Sequence, residues 1–137
     1  MKAYVLDASA LIAFLQKTPG AYRVNELLKE ALQGRAQVLM SAVNYGEVYG
    51  KVLRELGAER ALLALHAVSP LPIEMADATP RRACNAAEVK VRYNLYYADS
   101  FAAALAIEHK ATLVTSDADF RRLGRACPIV WLKSAPA

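Results

Sequence analysis

Apolar residues gather in five short unbroken runs: Tyr4-Val5-Leu6, Val38-Leu39-Met40, Leu71-Pro72-Ile73, Thr112-Leu113-Val114-Thr115 and Ile129-Val130-Trp131. A strand that is apolar at every position, rather than at every second one, has both faces covered, and such strands belong to parallel sheets. The stretches between the runs are long enough for helices, which is what parallel strands need as crossovers. The pattern predicts an α/β fold, a three-layer α/β/α sandwich around a central parallel sheet. Pro72 has no N–H to give to a ladder, which places its strand at a sheet edge.

Helix boundaries carry their own marks. Ser41 is a good N-cap for a helix through Val43, Val48, Val52, Leu53 and Leu56, and Gly57 is placed to end it. Thr79-Pro80 pairs an N-cap with proline at the first helical position and opens a helix towards Tyr93. The alanine-rich residues 100–107 have high helix propensity. No internal repeat or low-complexity segment interrupts this order.

A length of 137 residues fits one domain, expected over residues 1–137, with enough chain to bury a core. Seventeen Lys and Arg against 13 Asp and Glu give a net charge of +4, a mild bias towards a polyanionic partner. Cys84 and Cys127 lie far apart without metal-ligand spacing, so both are expected as buried thiols. The apolar start is broken by Asp7 too early for a signal peptide or a membrane span, and a cytoplasmic location is expected.

The acids change the picture most. Of five aspartates, Asp7, Asp99, Asp117 and Asp119 stand where a strand or loop meets a helix, and Asp77 lies in a loop. In an open α/β sheet the ligand crevice lies at the carboxyl ends of the strands. Asp7 ends the first run, Asp117 follows the fourth, and Glu47 sits about two turns into the Ser41 helix. If these segments converge, each like-charged pair at about 5 Å costs roughly 3 kcal/mol at an effective dielectric near 20. A divalent cation or retained protons must offset that, and all-oxygen ligands select Mg²⁺ or Mn²⁺ over zinc. Each acid also has a plain explanation: Asp99 as a helix-start charge, Glu47 as the i, i+4 partner of Lys51, Asp117 and Asp119 as turn formers. Asp7, at the end of a core strand, needs a partner whatever its role.

Four segments resemble the motifs of PIN domains, particularly the VapC toxins of VapBC toxin–antitoxin systems. Residues 5–13 (VLDASALIA), 41–48 (SAVNYGEV), 97–106 (YADSFAAALA) and 113–120 (LVTSDADF) are similar to the first to fourth motifs in the family's order, covering nearly the whole chain. The resemblance implies a sheet of order 3-2-1-4-5 and a Mg²⁺- or Mn²⁺-dependent endoribonuclease, usually dimeric and held inactive by a VapB-type antitoxin. It implies Asp7 and Asp99 as principal metal ligands, with Glu47 and Asp117 completing the acidic pocket. Ser9, Thr115 and Ser116 would orient these acids, and Asp119 would be an acid at a helix start.

RNA hydrolysis by such a site needs no side-chain base. The two histidines, His66 and His109, fall within or at the end of helical stretches. Candidate phosphate contacts are Arg81, Arg82, Lys90 and Arg92, with Arg121, Arg122 and Arg125 after the fourth motif; Tyr93, Tyr96 and Tyr97 are candidates for base stacking or core packing. A haloacid-dehalogenase-like phosphatase would want a second acid where Ser9 stands. A receiver domain would want an acidic pair where Leu6-Asp7 stands. The remaining alternatives are an RNA- or protein-binding PIN-fold module without catalysis and a housekeeping RNA-processing nuclease.

Overall fold

In the computed structural model, residues 1–133 are described; the last four residues of the expected 1–137 unit lie outside the described residues. The chain runs β1 (Lys2–Leu6), α1 (Ala8–Gln16), α2 (Ala21–Leu32), β2 (Ala36–Ser41), α3 (Ala42–Leu56), α4 (Ala58–Val68) and β3 (Glu74–Ala76). It continues through α5 (Pro80–Tyr93), α6 (Tyr97–Glu108), β4 (Thr112–Thr115), a 3-10 segment over Ala118–Ala126 and β5 (Ile129–Trp131). The five strands form one sheet in the order β3-β2-β1-β4-β5, with every pair parallel.

Alternation along β1 divides the core in two. Val5, with Leu39 and Leu113 of the neighbouring strands, packs on the alanine face of α6 and on Phe120 and Leu123. Tyr4 and Leu6, with Val38 and Val114, pack on Ala10 of α1 and on Val24, Leu27 and Leu28 of α2. Helix α6 is buried along the whole of Ser100–Ala106, and its small side chains let it lie close to the sheet while α5 packs outside it. A third cluster, Leu11, Met40, Val48 and Val68, seats the α3–α4 hairpin. Ser41 caps α3 through Val43 N, and Gly57, at φ 91°, closes it in a conformation that side-chain-bearing residues rarely adopt. Thr79 caps α5 as its sequence predicts.

Two expectations are corrected. The third strand is Glu74–Ala76, not Leu71–Ile73, although it does lie at a sheet edge. Leu71 and Ile73 are drawn into the hydrophobic clusters at the α3–α4 end, so the chain joins the sheet only after them. Cys84 is exposed on α5, whereas Cys127 is buried and its thiol is pushed up by desolvation.

Candidate active site

Parallel pairing of β1 with β4, Leu6 opposite Val114, brings Asp7 and Thr115 together at the carboxyl edge of the sheet. Asp7 is 4% exposed. Its Oδ1 accepts hydrogen bonds from Ser9 Oγ (2.7 Å) and from Ala10 N (2.9 Å), the second capping α1. Its Oδ2 accepts from Thr115 Oγ1 at 2.5 Å. Thr115 Oγ1 in turn accepts from Asp117 N (2.9 Å), and Ser9 Oγ accepts from Ser116 N (3.0 Å). Both hydroxyl protons are therefore spent on Asp7, and the 3.2 Å approach of the two hydroxyl oxygens is a contact rather than a further bond. Burial pushes the Asp7 carboxyl up to about 6, against the lowering effect of these donors and with a small push from the charge of Asp117.

Asp99 lies in the first turn of α6, whose N-cap, Tyr96, contributes no side-chain bond. Its carboxyl is raised to about 7, first by desolvation and then by the charges of Asp117, Glu47, Asp7 and Asp119. All five acids thus share one electrostatic neighbourhood. Asp117 caps the 3-10 segment, its Oδ1 accepting from Asp119 N at 2.9 Å. Asp119 starts that segment, as its place in the sequence suggests, and also contributes to the tightest group: Asp99, Asp117 and Asp119 each bring one carboxylate oxygen within 4.8 Å of the other two.

Glu47 is not paired with Lys51. That lysine bonds Glu55 at 2.7 Å instead, and Glu47 Oε1 accepts from Asn44 Nδ2 at 2.8 Å. Asn44, 1% exposed, has a second acceptor in the carbonyl of Ala98 at 3.0 Å, next to Asp99, and its own Oδ1 is buried without a partner among the described residues. Sequence reasoning passed over this residue. A signal was present: Asn44, Val48 and Val52 recur at four-residue spacing on the buried stripe of α3, and an amide on an apolar stripe needs partners.

The group suits a hard cation. Its donors are all carboxylate oxygens, and the carboxyls of Asp99 within it and of Asp7 beside it are raised, first by desolvation and then by neighbouring negative charges. Among the described residues the only Lys or Arg within 4.0 Å of the five acids is Arg122, at that limit from Asp119. His109 ends α6, ten residues and about 15 Å along the axis from Asp99, and His66 is exposed on α4.

The basic candidates divide. Arg82 is committed to Glu108 (3.0 Å) and to the carbonyl of Asp77 (3.0 Å). Lys90 bonds the Leu95 carbonyl and Arg122 the Asn94 carbonyl. Arg81, Arg92, Arg121 and Arg125 are exposed without such ties. Of the tyrosines, Tyr93 packs against the core, Tyr97 meets Phe101 edge-on at 5.1 Å, and Tyr96 is exposed. A groove of about 1020 Å³ between α5 and α6, around Val91, Tyr93 and Ile107, is lined by none of Asp7, Glu47, Asp99, Asp117 and Asp119.

Residues 4–126 match the family model described as PIN domain. No curated protein matches the sequence. Among solved structures, VapBC2 from Rickettsia felis bound to a DNA fragment from its promoter is 20% identical, with a TM-score of 0.76, over 96% of this chain and 99% of that one. DNA-bound VapBC from Salmonella typhimurium is 18% identical, with a TM-score of 0.70, over 95% and 98%. VapC20 from Mycobacterium tuberculosis, described as a sarcin-ricin loop cleaving toxin, is 18% identical, with a TM-score of 0.69, over 97% and 99%. At these identities the likeness is one of fold.

Proposed function

Because the chain belongs to the PIN-domain family, we propose that it is a Mg²⁺- or Mn²⁺-dependent endoribonuclease, the toxin of a VapBC-type toxin–antitoxin pair. One observation carries the reading: three carboxylates converge within 4.8 Å beside a fourth, buried one, with almost no basic side chain to balance them. A scaffold without catalysis would gain stability by losing that repulsion.

Asp99, Asp117 and Asp119 would hold the cation, with Asp7 reaching the site from β1 and Glu47 from α3. Bound there, a hard cation lowers the pKa of an attacking water and offsets charge on the scissile phosphate. The remaining work is positional. Ser9 and Thr115 fix both oxygens of Asp7. Asn44 ties Glu47 to the turn that carries Asp99. Asp99, whose carboxyl is raised to about 7, would release its proton on cation binding at little cost near neutral pH. Arg81, Arg92, Arg121 and Arg125 are exposed and would be the side chains open to phosphates. The partners that belong to this reading are an RNA substrate, a VapB-type antitoxin and a second copy of the chain.

The test is cleavage of a structured RNA by the full chain. Activity with Mg²⁺ or Mn²⁺ that disappears in excess EDTA and in Asp99→Asn is expected; cleavage at an unchanged rate in EDTA sinks the reading. Co-purification with a small DNA-binding protein encoded beside the gene tests the toxin assignment.

A further inference from the structure

We propose that Trp131 and Arg121 form a nucleotide-holding subsite beside the acidic group, the indole stacking an unpaired base and the guanidinium meeting an adjacent phosphate. The inference rests on the nuclease reading and specifies where the substrate is held.

The placement comes from the sheet. Thr115, which holds Asp7, is in register with Trp131, and Leu132 N donates to the Thr115 carbonyl at 2.8 Å. One ladder spacing, about 4.8 Å, separates the two strands, and in-register residues of parallel strands project to the same face. Two residues earlier, Leu113 and Ile129 pair in the same way, and both pack in the α6-side cluster. Trp131 thus stands at the rim of the carboxyl edge on the α6 side, next in line after the residue that fixes Asp7.

The side chain is not used up by packing: Trp131 is 45% exposed, whereas Ile129 below it packs on the core. Arg121 lies over the ring, its guanidinium carbon 5.9 Å from the centroid. Arg23, Lys51, Arg82 and Arg122 each reach a carboxylate, but among the described residues Arg121 has none within 4.0 Å, although Asp117 and Asp119 precede it closely in the chain. Its charge is held on an aromatic face instead.

This combination suits a single-stranded polyanion. The acids repel phosphates, so a substrate needs attraction at their flank, and an unneutralised cation supplies it. An open indole adds stacking that is indifferent to base identity. Between them the two side chains present the two chemistries of a nucleotide, an aromatic face and an anion.

Trp131 is the only tryptophan in the chain, so its emission reports directly on the subsite. Asp99→Asn protein, which leaves RNA intact, would be titrated with an end-labelled single-stranded RNA of ~8 nucleotides, a length in the range of single-strand sites. Tryptophan quenching should saturate at the same RNA concentration as the label's anisotropy. Trp131→Ala should weaken binding about tenfold, Trp131→Phe should stay within about threefold, and Arg121→Gln should weaken binding with a shallower salt dependence. Circular dichroism would establish that each variant is folded, and if Trp131→Ala is not, Trp131→Leu, which keeps apolar bulk but has no stacking face and should weaken binding about tenfold, carries the test. RNA that binds without changing the emission, and equally well to a folded Trp131→Ala or Trp131→Leu, overturns the subsite. If the wild-type chain still cleaves RNA with Mg²⁺ or Mn²⁺ at a KM that Trp131→Ala (or Trp131→Leu) and Arg121→Gln leave unchanged, the subsite fails and the nuclease reading stands; with neither binding nor cleavage, both fall.

Discussion

Asn44 and Glu47 are joined by a 2.8 Å hydrogen bond across one turn of α3, and the same amide nitrogen holds the Ala98 carbonyl at 3.0 Å. One buried side chain thereby sets the distance between an acid on α3 and the turn that carries Asp99. Asn44→Ala should cost about 1–2 kcal/mol in urea unfolding, since it removes two partly buried hydrogen bonds from a buried amide. It should also lower kcat about tenfold or more, as misplaced site groups do. Full activity in a destabilised Asn44→Ala would show that the link is structural only.

Thr115→Val removes the donor to Asp7 Oδ2 and the acceptor of Asp117 N with little change in shape. A loss of about 2–3 kcal/mol is expected. The loss should be larger at pH 8 than at pH 5.5, because the missing bond stabilises the charged carboxylate. Denaturation at the two pH values checks this; an equal loss at both would mean that Asp7 does not titrate between them.

Asp7 and Asp99 both have raised carboxyl pKa values, about 6 and about 7. The folded state therefore binds more protons than the unfolded chain between roughly pH 4, the ordinary carboxylate value, and pH 7. Stability of the metal-free protein should fall as pH rises through that window. Added Mg²⁺ or Mn²⁺ should restore it, with the largest gain in Tm above pH 7 and less in Asp99→Asn. Thermal scans with and without the cation measure it; a Tm that rises with pH in EDTA would contradict the assignment.

Arg82 reads in the sequence as a phosphate contact, but its guanidinium is bound to Glu108 and to the Asp77 carbonyl. Arg82→Ala should change the KM for RNA less than twofold and stability by no more than about 1 kcal/mol, the range of partly exposed ion pairs. A tenfold rise in KM would return Arg82 to the substrate path.

The sheet was legible because four of its five strands are apolar runs that nothing else competes for. The third was not, since Leu71 and Ile73 look like strand residues but are partly buried against the helix clusters instead, while Glu74–Ala76 at the sheet edge buries only Ala76. In the candidate site, strand ends were enough to place Asp7 and Asp117 at one edge. Glu47 and Asp99 each had an ordinary helical explanation, and only three-dimensional placement distinguishes them: Lys51 turns to Glu55, and Asp99, in the first turn of α6, feels the charges of Asp117, Glu47, Asp7 and Asp119. Asn44 sits within the second motif and Trp131 within the last apolar run, but the contacts that give them a role, Asn44 with the Ala98 carbonyl and Trp131 with Arg121, come from other segments.

Oδ1 of Asp7 starts helix α1 by accepting from Ala10 N. A nuclease-dead Asp7→Ala chain would therefore be an ambiguous reagent, its helix frayed at the first turn as well as its charge removed. Asp7→Asn keeps an oxygen for Ala10 and Ser9, so the start of α1 survives while the charge and the bond accepted from Thr115 are lost.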